Sequence, residues 1–181
     1  GILVALGASA GGLQAMKRFF VALPRIPGAA FVVVQHQQPQ RPSLLPKLLR
    51  GRTGYAVSEI GPGTLLEGEH VYVAPPSAAV ALDGNAFVLE PLTSFKERRT
   101  RIDHFFQSAA AALGSRTVGI VLSGTGGDGS KGIRAIAAAG GLTIAQDPTT
   151  AVQSGMPRSA IATRAVVHVL APEDMPATIV A

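Results

Sequence analysis

The sequence predicts an α/β fold: a doubly wound, mainly parallel sheet with helices on both faces and an antiparallel edge hairpin. Three observations predict it. Apolar runs alternate with Gly/Pro punctuation and helix-like segments in a βα rhythm from end to end. Two of these runs, Ala30–Gln35 and Thr117–Leu122, are nearly continuous in apolar residues, as strands buried on both faces of a parallel sheet are. Between Ala78 and Glu90 the rhythm breaks, and Asp83-Gly84-Asn85 separates two short apolar runs, which is a hairpin signal.

The elements follow in order. Ile2–Leu6 is a first strand, the small residues Gly7–Gly12 form a tight turn, and Leu13–Met16 opens a helix. Breakers at Leu23–Gly28 precede the second strand, Ala30–Gln35, with His36 just past its end. Gln37–Pro42 reads as a loop, Ser43 caps a helix through about Leu49, and Ala56–Ile60 is a short third strand. Val71–Ala74, Ala78–Leu82 and Ala86–Glu90 read as short strands of an antiparallel insertion on the sheet edge. A basic stretch, Phe95–Arg101, leads into a helix whose Ile102, Phe105, Phe106, Ala109, Ala112 and Leu113 recur at helical spacing, with the two phenylalanines assigned to the core. The strand Thr117–Leu122 ends in the glycine-rich loop Ser123–Ser130, followed by a helix over Lys131–Ala139. Leu142–Gln146, a short helix ending near Ala162, the strand Val166–Leu170 and a terminal helix within Pro172–Val180 complete the pattern.

Composition bounds the function. A chain of 181 residues is read as a single domain, residues 1–181, and its opening inside a first strand leads us to expect that it is excised from a longer protein. No uninterrupted apolar run approaches the roughly 18 residues needed to cross a bilayer, and the expected location is the cytoplasm. With no cysteine, disulfides, thiolate metal sites and a cysteine nucleophile are excluded together. The net charge of +5 comes mainly from Arg41, Lys47, Arg50 and Arg52, then from Lys96, Arg98, Arg99 and Arg101. Partners should therefore be acidic. Nucleic acid is disfavoured, because aromatics are only 5% of the chain and are not interleaved with the basic residues as stacking platforms would be.

Gly7-x-Ser9-x-Gly11 fits the nucleophile elbow, where small neighbours let a serine sit exposed on a strand-to-helix turn. The same residues are one position away from a dinucleotide fingerprint, and they also suit a plain packing turn. In an open α/β sheet, functional groups collect beyond the carboxyl ends of the strands, and Ser9, His36 and Asp128 each sit just past such an end. This suggests Ser9 as nucleophile, His36 as base and Asp128 as the acid that holds the imidazole tautomer. The nucleotide reading wants an acidic residue after the second strand, where this chain has Gln35-His36. Metal binding is disfavoured because His36, His70, His104 and His168 are scattered without ligand spacing. No cofactor is expected. Asp103 and Asp147 are rival acids, each with a structural role at a helix start or turn.

Six motifs then carry a family resemblance: Gly7-Ala8-Ser9-Ala10-Gly11-Gly12, Val34-Gln35-His36, Val71-Tyr72-Val73-Ala74-Pro75, Gly124-Thr125-Gly126-Gly127-Asp128-Gly129, Ala145-Gln146-Asp147 and Gly155-Met156-Pro157. In this order, over nearly the whole chain, they resemble the CheB-type chemotaxis protein-glutamate methylesterase domain. The resemblance implies a cofactor-free serine hydrolase acting on glutamate γ-methyl esters of methyl-accepting chemotaxis receptors, and in many members deamidating receptor glutamines. It assigns the triad to Ser9, His36 and Asp128 and oxyanion contacts to the backbone N–H groups of Ala10 and Thr125. Thr125 stands where the family commonly has methionine, and Thr100-Arg101-Ile102-Asp103 where Pro-Ser-Val-Asp is usual. In both respects the chain resembles the domains found in methylesterase/methyltransferase fusion proteins. Arg41, Lys47 and Arg50, next to His36, are expected to dock an acidic receptor surface.

Overall fold

The computed structural model describes residues 1–37, 41–93 and 98–181. Part of the Gln37–Pro42 loop, and the segment 94–97 of the basic stretch, with Lys96, lie outside the described residues. Seven parallel strands form the main sheet: β1 (Leu3–Ala8), β2 (Ala30–Gln35), β3 (Ala56–Glu59), β4 (His70–Val73), β7 (Thr117–Val121), β8 (Leu142–Gln146) and β9 (His168–Leu170). Their order is β3-β4-β2-β1-β7-β8-β9. The chain thus winds outward from β1 in one direction, returns beside β1 at β7, and winds out in the other. Such a reversal opens a crevice at the carboxyl ends of β1 and β7. Register decides what stands there. Ala8 pairs with Gln35 and Gly7 with Val121, so the residues just past the three strands are neighbours.

Helices α1 (Gly12–Ala22), α2 (Leu45–Arg50), α3 (Arg101–Leu113), α4 (Ser130–Ala138), α5 (Gly155–Ala162) and α6 (Met175–Val180) cover both faces. Side chains alternate across a strand, so Val4 and Leu6 point to one face of β1 and Leu3 and Ala5 to the other. On the first face Phe19 and Phe20 of α1 pack with Phe31, Leu49 and Met175. Their rings meet edge to face at 5.1–6.4 Å. On the second face Ile102, Phe105 and Phe106 of α3 pack with Ile133, Ile136 and Val32. The helical spacing of the α3 cluster is the pattern read from sequence, and Phe105 and Phe106 are fully buried.

The hairpin is present, as β5 (Ala78–Asp83) and β6 (Ala86–Pro91), antiparallel about Gly84. It forms a separate two-stranded sheet that packs on α3 through Val80, Leu82 and Phe87, and does not extend an edge of the main sheet. The segment expected as the first strand of that insertion belongs elsewhere. Residues 70–73 form β4, in parallel register with both β2 and β3. The crossover from β3 to β4 contains no helix, so the rhythm that marks a parallel strand in sequence is missing there.

Candidate active site

The elbow begins where β1 runs out. Ser9 N–H donates to the Ser123 carbonyl (3.0 Å), and Gly12 N–H to the Ser9 carbonyl (2.9 Å), closing a tight turn into α1. Gly11 has φ 79°, and a Cβ there would strike Ser123 Oγ and Val152. The Ser9 side chain is held at the crevice. Its Oγ accepts the Thr125 N–H (3.0 Å) and donates to Met156 Sδ (3.4 Å). Gly124 makes this approach feasible, because a Cβ on it would overlap both Ser9 Oγ and Met156 Sδ.

His36 follows β2, its N–H bonded to the Ala8 carbonyl (3.1 Å). Its Nε2 lies 2.7 Å from Asp128 Oδ2, with the imidazole 26% exposed and the carboxylate 2%. A carboxylate can only accept, so the proton on this bond sits on Nε2, and in the neutral ring Nδ1 then keeps its lone pair. Among the described residues no hydrogen bond joins Ser9 to His36. A rotation of Ser9 about χ1 turns its hydroxyl away from Met156, and such loose contacts before substrate binds are ordinary in hydrolases.

The acid is built into two helix ends. Asp128 Oδ2 also accepts Ile102 N–H (2.9 Å), and its Oδ1 accepts Asp103 N–H (2.8 Å), so it caps α3. Asp103 reciprocates. Its Oδ1 accepts Gly129 N–H (2.9 Å) and Gly132 N–H (2.8 Å), capping α4. Burial pushes the Asp103 carboxyl up to about 6; the Gly132 N–H opposes that rise and the nearby Asp128 carboxylate adds to it. Arg101, one residue earlier, is 2% exposed, and burial lowers it to about 10 against the pull of Asp128. Its Nη2 donates to the carbonyls of Pro75 (2.6 Å) and Ala78 (3.0 Å), and Nη1 reaches the Gln35 carbonyl at 3.4 Å.

The structure thus brings Ser9, His36, Asp128 and Thr125 to one sheet end, with Ala10 next to Ser9 on the elbow. The Ala10 carbonyl accepts Ser123 Oγ–H (2.8 Å), which fixes the turn beyond the serine. Beside His36, an open cleft of about 410 Å³ is lined by Arg99, Thr125, Gly126, Gly127 and Asp128. A recess of similar volume, about 420 Å³, lies at the opposite end of the sheet around Leu3, Gly28 and Ala30, far from this chemistry. Asp147 is apart from the group: it is half-buried at a turn and accepts Thr149 N–H and Oγ–H (both 2.9 Å), which hold it below its usual range. Arg41 and Lys47 are exposed, and Arg50 donates to the Val57 carbonyl (3.1 Å), committing part of its guanidinium to β3. A shallow groove among Leu13, Gln35, Leu44 and Leu48 borders the same helix. Among the described residues no helix is long and apolar enough to cross a membrane.

Sequence reasoning missed Arg101, Met156 and the second cap made by Asp103. Asp103 was assigned to the start of its own helix, whereas its carboxylate serves the next one. Only the chain's return at β7 brings these groups together, and no local pattern encodes it.

Comparison with known proteins bears on the family and the fold. A family model described as CheB methylesterase matches residues 4–179. The protein-glutamate methylesterase/protein-glutamine glutaminase 1 of Myxococcus xanthus is 38% identical over 173 residues, covering 93% of this chain and 50% of that protein. An uncharacterized 104.1 kDa protein of Rhodobacter capsulatus is 50% identical over 101 residues, 54% of this chain and 10% of that one. The crystal structure of the Thermotoga maritima CheB methylesterase catalytic domain superposes with a TM-score of 0.90 at 29% identity, covering 99% of this chain and 97% of that one. The chain spans about half the length of the curated methylesterases it matches.

Proposed function

Since the chain belongs to the CheB methylesterase family, we propose that it hydrolyses γ-methyl esters of glutamate side chains on chemoreceptors, with Ser9 as nucleophile, His36 as base and Asp128 as orienting acid. The observation that carries this reading is the convergence at one sheet end of a serine hydroxyl on a backbone N–H (3.0 Å) and an imidazole on a buried carboxylate (2.7 Å). Ser9 Oγ attacks the ester carbonyl carbon as its proton passes to His36 Nδ1. The oxyanion is held by Thr125 N–H, already beside Ser9 Oγ, and by Ala10 N–H at the start of α1; each contributes about 3 kcal/mol by analogy with measured oxyanion donors. Collapse breaks the C–O bond and His36 returns the proton to the departing methoxide, giving methanol. Water then attacks the acyl-serine with the same base, releasing the glutamate carboxylate and restoring the serine hydroxyl.

A glutamine amide fits the same steps with ammonia leaving, and the printed name of the Myxococcus relative includes this second activity. The substrate presents an acidic helical surface, and Arg41 and Lys47 with the apolar groove beside α2 are positioned to receive it; Arg50 adds charge behind them. The site is proposed to work in the cytoplasm, within two-component signalling. The test is release of methanol from a methyl-esterified receptor fragment: the wild-type protein liberates it and Ser9→Ala does not. A folded wild type that releases none, yet binds the receptor, would make this chain a docking module that keeps the fold without the chemistry.

A further inference from the structure

We propose that Arg101 is a positioning residue for the His36–Asp128 pair: a buried cation that fixes the geometry of both partners and sets the pH at which the base becomes available. This rests on the function proposed above. Its guanidinium ties together the chain on either side of the pair. Nη1 reaches the carbonyl of Gln35, the residue before His36, while the next two residues, Ile102 and Asp103, give their N–H groups to Asp128. The stronger bonds, to Pro75 and Ala78, anchor this clamp to the end of β4 and the start of β5.

The arrangement is costly, which argues that it serves the site. Arg101 is 2% exposed, makes no ion pair within 4 Å among the described residues, and leaves its Nε without an acceptor. The negative charge that acts on it is that of Asp128, through space. A neutral side chain could fill the volume at lower cost. What a neutral residue cannot supply is a fixed positive charge behind Asp128, which attracts the carboxylate and repels positive charge on the imidazole beside it. Among the described residues, the other charged groups facing the pair are Arg99 on the cleft wall and Asp103, whose carboxyl touches the same loop. Asp103 titrates near 6, within the range where a histidine base becomes active, and so must be removed from the comparison.

The test is the pH profile of kcat/KM for p-nitrophenyl acetate, measured in an Asp103→Asn background, whose amide oxygen retains the bonds to Gly129 and Gly132. Arg101→Gln should move the acidic limb to higher pH by on the order of one pH unit, because the imidazolium is no longer opposed. Arg101→Lys should keep the limb in place while lowering the rate through the lost fork. If Gln does not fold, Arg101→Met takes its place. An uncharged variant that loses rate equally at every pH, or keeps the wild-type profile, overturns the inference. So does failure of both uncharged variants to fold while Lys retains the wild-type rate, which assigns Arg101 to stability alone. Background protein inactive at every pH, with the chain carrying native Asp103 also inactive, refutes the proposed function itself and not this inference separately.

Discussion

Replacing Asp128 by asparagine changes one atom and asks the whole site to respond. The carboxylate receives three donors: His36 Nε2 and Ile102 N–H on Oδ2, and Asp103 N–H on Oδ1. Asparagine offers one acceptor oxygen and one NH2. With its oxygen toward Ile102 and His36, the NH2 faces the Asp103 N–H and α3 loses a cap. With the NH2 toward His36, the imidazole must carry its proton on Nδ1, where it can no longer accept one from Ser9. Either placement leaves one buried helix N–H unsatisfied, at about 1–3 kcal/mol. Melting should fall by about 2–4 °C per kcal/mol for a domain of this size. Both placements remove the charge that stabilises the imidazolium. The expected loss in kcat is about 10⁴-fold, or about 5 kcal/mol in the barrier. Hydrolysis of p-nitrophenyl acetate and thermal unfolding by circular dichroism measure the two effects on one sample. Asp147→Asn, at a turn apart from the site, should cost less than about tenfold. An Asp128→Asn protein within tenfold of wild type, or an Asp147→Asn protein more damaged than Asp128→Asn, would refute the assignment.

Gly124→Ala pushes a methyl into Ser9 Oγ and Met156 Sδ, so the Thr125 N–H should be displaced and kcat fall by about 10²–10³-fold, read in the same ester assay. Asp103 is held above its unfolded value of 3.8, so the folded state binds the extra proton; stability from this group is greatest below about pH 4 and is lost as pH rises through about 6. Urea midpoints measured from pH 4 to 7 should show that decline in the wild type, and Asp103→Asn should flatten it. Reversing Arg41 and Lys47 to glutamate together should slow demethylation of a receptor fragment at low salt and spare a small neutral ester; equal effects on both substrates would remove these residues from docking.

The central strands and the buried face of α3 were legible because they are long and periodic, whereas α1 was read only as far as Met16. That Ser9, His36 and Asp128 gather at one sheet end was legible for a different reason: each follows a strand that reads clearly, and parallel strands put their carboxyl ends on one side. β4 was misplaced because its four residues follow an irregular crossover where a helix is the usual signal. Arg101 sat in a run of basic residues that reads as a solvated face, yet its side chain turns inward to three backbone carbonyls. The exchange of caps between Asp103 and Asp128 depends on α3 and α4 packing against each other, a contact fixed by tertiary structure alone.

The central claim is that Ser9 is a nucleophile activated at the carboxyl end of β1. Treating the folded protein with a fluorophosphonate and mapping the adduct by mass spectrometry tests it most directly. The account predicts one adduct, on Ser9, abolished by Ser9→Ala and strongly slowed by His36→Gln. A folded protein that takes up no label, or whose adduct persists after Ser9→Ala, would contradict it.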